Sequence, residues 1–170
     1  RDQPRSRGLG DVYKRQLLDQ IVKFAVRELM YVGESIPVIE NVFHLTYVQN
    51  RGAAFSLFSG SGFMLIVLPV IALAVAVWYM ETHKDVHWTL PLSLSLIIAG
   101  GLGNLIDRLF LGYVTDMIDF KIWSPVFNIA DIAVCVGAGF LILYTLAFYG
   151  KNGKIDNADS VDSVDSVDSV

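Results

Sequence analysis

Four aspartates of this chain, Asp19, Asp107, Asp116 and Asp131, fall at or near the ends of apolar runs. A carboxylate at the centre of a bilayer costs about 2.5–3.5 kcal/mol on insertion scales and less toward the interface, so acids kept there call for a reason. Other polar groups accompany them. Asn104 and Arg108 are four residues apart and Asn128 and Asp131 three apart, spacings that put each pair on one helix face. An amide beside a guanidinium makes a site for peptide carbonyls. Two carboxyls held close together cannot both ionise, and the pair titrates as a unit. The charged member can take a proton from water while the neutral one donates to the oxygen of a scissile carbonyl. Such a pair hydrolyses a peptide bond without metal or cofactor.

Blander readings exist for each residue. Interfacial acids snorkel to water or cap helix starts. Asn128 suits a cap, whereas Asp131, a turn deeper, lies beyond what capping explains. Gly100, Gly101 and Gly103 permit a close approach, which helix packing alone would also use. The stretch QNRGAAFSLF (residues 49–58) sets Asn50 beside Gly52 and small neighbours, leaving room above an apolar floor.

Other chemistries find no support. The three histidines, His44, His83 and His87, lack paired-ligand spacing, and His83 and His87 fall in a short polar loop. No GxSxG or SxxK pattern occurs. The single cysteine, Cys135, excludes an intrachain disulfide and suits a small buried or lipid-facing position. No basic stripe suggests nucleic acid.

The elements that must position these residues are apolar. The chain is 54% hydrophobic and only 18% charged, against roughly 45–50% and 25% in soluble domains. The net charge of −4 owes much to a Ser-Val-Asp repeat at the C-terminal end, so residues 151–170 read as a disordered tail. Residues 1–16 are polar and basic, foreign to the rest of the fold. LLDQIVKFAV (residues 17–26) reads as the outer half of a first membrane helix, too short to span alone. VIENVFHLTYV then alternates as short half-buried strands do. GFMLIVLPVIALAVAVWYM (residues 62–80) is a second span kinked at Pro69; a third runs from Trp88 to Ile106, and a fourth from Phe127 to Tyr149. An irregular connector, rich in acids and aromatics, separates the last two. Lys14, Arg15, Lys84, Lys151 and Lys154 all fall on one side, expected to be cytoplasmic, which sends the polar residues to the outer face.

Four motifs in order, LDQIVK (18–23), NRGAAFS (50–56), GGLGNLIDRLFLGYVTD (100–116) and FNIAD (127–131), resemble the lipoprotein signal peptidases, the signal peptidase II family. The resemblance covers residues 17–149. It implies a multi-pass enzyme of the bacterial inner membrane, an aspartic endopeptidase whose outward-facing dyad cuts signal peptides from prolipoproteins before a diacylglyceryl-modified cysteine. On the matching positions, Asp116 and Asp131 are the catalytic pair. Asn50, Gly52, Asn104, Arg108 and Asn128 line the site and hold substrate, and Asp19 and Lys23 are structural or positioning residues. Asp107, beside Arg108, suits a structural ion pair but rivals the dyad assignment, as does Asp119. The expected architecture is all-α, with four transmembrane helices and a small β-rich outer element between the first two. The fold is expected to be a monomer among membrane lipids. A proton-coupled transporter or channel subunit is the competing reading, since intramembrane acids also build proton relays. A scaffold in which these residues only pack and cap is a third.

Overall fold

The computed structural model describes residues 4–52, 63–83, 86–123 and 125–149. The expected tail at 151–170, Lys84, and Ala53 through Phe58 of the small-residue segment lie outside the described residues.

Four helices and four strands follow one another as α1 (Pro4–Leu29), β1 (Ser35–Ile39), β2 (Phe43–Asn50), α2 (Met64–Thr82), α3 (Thr89–Leu111), β3 (Val114–Phe120), β4 (Val126–Phe127) and α4 (Ile129–Tyr144), which continues as a π-helical turn Thr145–Tyr149. The first helix departs from expectation. It begins at Pro4, not Leu17, because proline is well placed at a helix start and only Gly8 and Gly10 then weaken the segment.

Three segments are long and apolar enough to cross a membrane: Met64–Thr82, Thr89–Leu111 and Ile129–Phe148. Their surroundings differ sharply. Along α2, Leu68, Ile71, Val75 and Trp78 are all exposed, the pattern of a helix facing lipid. Within α3 one side is packed, with Leu90, Leu94, Ile98 and Ala99 in the core against Ala76 of α2. Its glycines serve that packing. A Cβ on Gly103 would lie 2.6 Å from Asp19 Oδ2 and 3.1 Å from the Ala130 Cβ, and one on Gly100 would collide with the Ala130 carbonyl. Glycine there lets α1, α3 and α4 meet closely enough for short polar contacts.

The expected small β-rich element is present, but the connection between α1 and α2 supplies only half of it. A single antiparallel sheet of order β1-β2-β3-β4 accompanies the helices, and half of it comes from the connection between α3 and α4. That connection is not irregular. Its VTDMIDF becomes a central strand because β2 supplies partners on one side, Val48 opposite Asp116 and Asn50 opposite Val114, and β4 on the other. One face of β3 then packs by Met117 on Val26 and Met30 of α1 and on Tyr47 of β2.

Candidate active site

Strand β3 and the start of α4 bring Asp116 and Asp131 together through one residue. Asn128 is fully buried and N-caps α4, its Oδ1 accepting from the Asp131 N–H at 2.9 Å. Its own backbone N–H donates to Asp131 Oδ2 at 3.1 Å, completing a capping box. Its side-chain Nδ2 donates to Asp116 Oδ1 at 2.6 Å. Asp131 is therefore a capping residue, contrary to expectation: at the third helical position its carboxylate reaches back over the first turn. Capping uses only Oδ2. The other oxygen accepts from Asn104 Nδ2 at 2.7 Å.

Asp116 is 2% exposed, and its second oxygen accepts from Asn50 Nδ2 at 3.0 Å. Asn50 is oriented by the turn that follows it. The Gly52 N–H, at a residue with φ +88°, donates to Asn50 Oδ1 at 2.9 Å, which leaves the NH₂ end for Asp116. Burial, chiefly, pushes the Asp116 carboxyl up from 3.8 to about 6; the hydrogen bonds from Asn128 and Asn50 oppose the rise and the charge of Asp131 adds to it.

The rival acids sit elsewhere. Asp119, three residues along the strand, points away from Asp116 by the strand's alternation. Thr46 donates to its Oδ2 at 2.7 Å, and Lys121 with Thr46 holds its carboxyl below the usual range. Asp107 accepts from the Thr115 N–H at 2.9 Å and pairs with Lys23 at 3.3 Å and Arg27 at 3.8 Å. The expected ion pair with Arg108 does not form, because adjacent helical residues point about 100° apart. Arg108 makes no ion pair among the described residues. Half-buried, it lines a cavity of about 180 Å³ with Asn50, Arg51, Leu65, Ile66 and Gly112.

Behind Asp131 lies a buried ion cluster. Lys23 is 0% exposed and meets Asp19 at 3.0 Å, Asp107 at 3.3 Å and Asn104 Oδ1 at 2.9 Å. Asp19 Oδ1 accepts from the Ala130 N–H at 3.0 Å. Gln20, Arg27 and Thr115 complete the cluster, with Gln20 donating to Asp107 at 3.2 Å and Arg27 to Thr115 Oγ1 at 3.1 Å. None of these three was singled out from sequence for the site. The signal was the polar stripe Asp19, Lys23, Arg27 at four-residue steps on one face of α1.

Among the described residues no group of acids, histidines or cysteines could hold a metal ion. His83 and His87 are exposed and remote from the carboxyls, and Cys135 is exposed on α4. The arrangement is thus two amide-held carboxyls beside a guanidinium with no ion-pair partner among the described residues.

A sequence model of a family described as signal peptidase (SPase) II matches residues 15–147. The lipoprotein signal peptidase of Halothermothrix orenii is 54% identical over 129 residues, 75% of this chain and 87% of that protein. That of Clostridioides difficile is 48% identical over 136 residues, 79% of this chain and 91% of its own. Among solved structures, a bacterial membrane enzyme determined by the in meso method at 2.3 Å resolution is similar, with a TM-score of 0.76 and 31% identity over 84% of this chain and 88% of the other.

Proposed function

The chain belongs to the signal peptidase II family of aspartic peptidases, and we propose that Asp116 and Asp131 are its catalytic pair. It is a multi-pass membrane protein that removes signal peptides from prolipoproteins. The observation that carries the dyad assignment is Asn128, which touches both carboxyls, one through its side-chain amide and the other through its backbone N–H. Asp19 and Asp107 also share contacts, to Lys23 and to the Gln20 amide, but there a buried cation pairs with both carboxylates.

Asp116, with its carboxyl raised to about 6, holds the proton of the pair, and Asp131 at the α4 N-terminus is the carboxylate. Water placed between them attacks the peptide carbonyl. Asp131 takes the water proton as Asp116 donates to the carbonyl oxygen, giving a neutral gem-diol. Collapse reverses the roles. Asp116 recovers a proton from a diol hydroxyl, Asp131 protonates the departing amine, and the pair returns to its starting state. Arg108 holds a substrate carbonyl at the cavity, with Asn50 in its wall and Gly52 orienting Asn50. Asn104 and Asn128 act on the carboxyls themselves.

The membrane arrangement follows from the sheet. Strands from the α1–α2 connection and from the α3–α4 connection form one sheet, so both connections lie at one end of the bundle. That geometry supports four crossings with α1 as the first, although α1 is not among the three segments apolar enough by composition to cross. We place the sheet and dyad on the outer face of the inner membrane, the enzyme acting as a monomer on precursors whose lipidated cysteine lies at the bilayer surface. A transporter would need polar groups across the membrane, whereas α2 carries none between its ends.

The test is cleavage of a diacylglyceryl-modified prolipoprotein by the purified chain, with Asp116→Asn and Asp131→Asn alongside. Both variants should fold and leave the precursor uncut. Cleavage by either would move its role to another acid.

A further inference from the structure

We infer that Lys23, on a helix that touches no reacting group, is a positioning residue for the catalytic pair and acts through Asn104. The inference rests on the dyad reading and adds how Asp131 is aimed.

An amide side chain has two ends of opposite character, and a half-turn exchanges them. An ammonium group has donors only. The end of Asn104 that meets Lys23 Nζ at 2.9 Å must therefore be the oxygen. The end facing Asp131 Oδ1 at 2.7 Å is then necessarily NH₂. The opposite orientation would set oxygen against carboxylate and NH₂ against ammonium, two repulsions in place of two bonds. Lys23 thus selects the one state of Asn104 that holds Asp131.

Lys23 cannot swing away to do otherwise. It is fully buried, with Asp19 and Asp107 on it at 3.0 and 3.3 Å. Those two acids have further bonds of their own, Asp19 to the Ala130 N–H and Asp107 to the Thr115 N–H. Ala130 precedes Asp131 and Thr115 precedes Asp116. One buried cation therefore anchors the backbone beside each carboxyl as well as the amide in contact with one of them. An unpaired ammonium in such a place costs several kcal/mol, and replacing a whole buried pair with neutral groups is often tolerated, so stability alone does not account for the arrangement. The charged groups around the pair are Asp19, Lys23 and Arg27 from α1, Asp107 and Arg108 from α3, and the dyad members themselves.

Two variants test this against prolipoprotein cleavage over a range of pH. Lys23→Met combined with Asp19→Asn removes the cation and one acid together while leaving an acceptor for the Ala130 N–H. In a folded, monodisperse protein, kcat should fall about 100-fold with KM unchanged, as for a reacting group displaced by a fraction of an ångström. Asn104→Asp is nearly isosteric and keeps an oxygen for Lys23, which preserves the fold. Its second oxygen donates to Asp131 only when protonated, so activity should survive only toward acid pH. A purely structural role would lower the yield of folded protein and leave kcat of the folded double variant and the Asn104→Asp profile where they were. Wild-type kcat in folded Lys23→Met/Asp19→Asn, an unshifted profile in Asn104→Asp, or a rise in KM alone would each overturn the inference. Failure of the dyad reading would show separately, as cleavage by Asp116→Asn or Asp131→Asn.

Discussion

Replacing Asp116 by asparagine should abolish cleavage and at the same time remove what pH does to the fold at that position. The wild-type carboxyl is 2% exposed and raised from 3.8 to about 6, so the folded state binds its proton more tightly than the unfolded chain does. Below pH 4 both states are protonated and the site contributes no charge penalty. Between pH 4 and 6 the unfolded chain ionises first, and stability falls as pH rises. A shift of roughly two units at 1.36 kcal/mol each makes the loss about 3 kcal/mol, complete above pH 6. Asp116→Asn cannot ionise and does not take part. It loses one good hydrogen bond, since its NH₂ must face a donor from Asn50 or Asn128, a deficit of about 1–3 kcal/mol at every pH. Reversible unfolding of both proteins in mixed micelles from pH 4 to 8 gives the difference directly. Wild type should lose about 3 kcal/mol relative to the variant across that range. A difference that is flat, or that grows in favour of wild type with pH, would mean the carboxylate is stabilised as an anion and would refute the assignment of the resting proton.

Three further outcomes follow from particular contacts. Asn128→Ser keeps a cap oxygen for the Asp131 N–H but loses the amide on Asp116, whereas Asn128→Ala loses both. The serine variant should be more stable than the alanine variant by about 1 kcal/mol in thermal or denaturant unfolding, with cleavage severely reduced in both. Gly103→Ala drives a methyl toward Asp19 and Ala130, and should cost about 1–3 kcal/mol in unfolding while slowing cleavage, because it separates α4 from the ion cluster. Arg108→Ala removes from the cavity wall a guanidinium that makes no ion pair among the described residues, so KM for the precursor should rise, with at most a small change in stability.

Much of the site was legible because its residues come in local patterns. The spacing of Asn128 and Asp131 and the Asn104–Arg108 face each lie within two helical turns. What remained hidden is long-range. Val114–Phe120 contains the strand formers Val114, Thr115, Ile118 and Phe120, but its two aspartates and its lack of apolar–polar alternation hide the strand. It becomes one because β2, some 66 residues earlier, offers its edge, as the Asn50–Asp116 bond shows. The partner of Asp107 was likewise misjudged from adjacency. Its cations come from α1, more than 80 residues away, as the bond from Gln20 alongside illustrates with a separation of 87. The capping role of Asp131 was missed for a different reason: a capping box uses the third helical position, so a carboxylate one turn in reaches the helix start.

The seam between β2 and β3 divides the enzyme into two unequal parts. Everything before α3 supplies Asn50 and the cation on α1, α3 itself supplies Asn104, and both carboxyls and Asn128 come after it. A chain emerging into the membrane from its N-terminus thus holds its supports long before it holds its reactive groups. Asp116 and Asp131 become neighbours only when the last helix docks and Asn128 closes over both. With Asp116 and Asp131 as the proposed pair, the site is complete only once the last helix has docked.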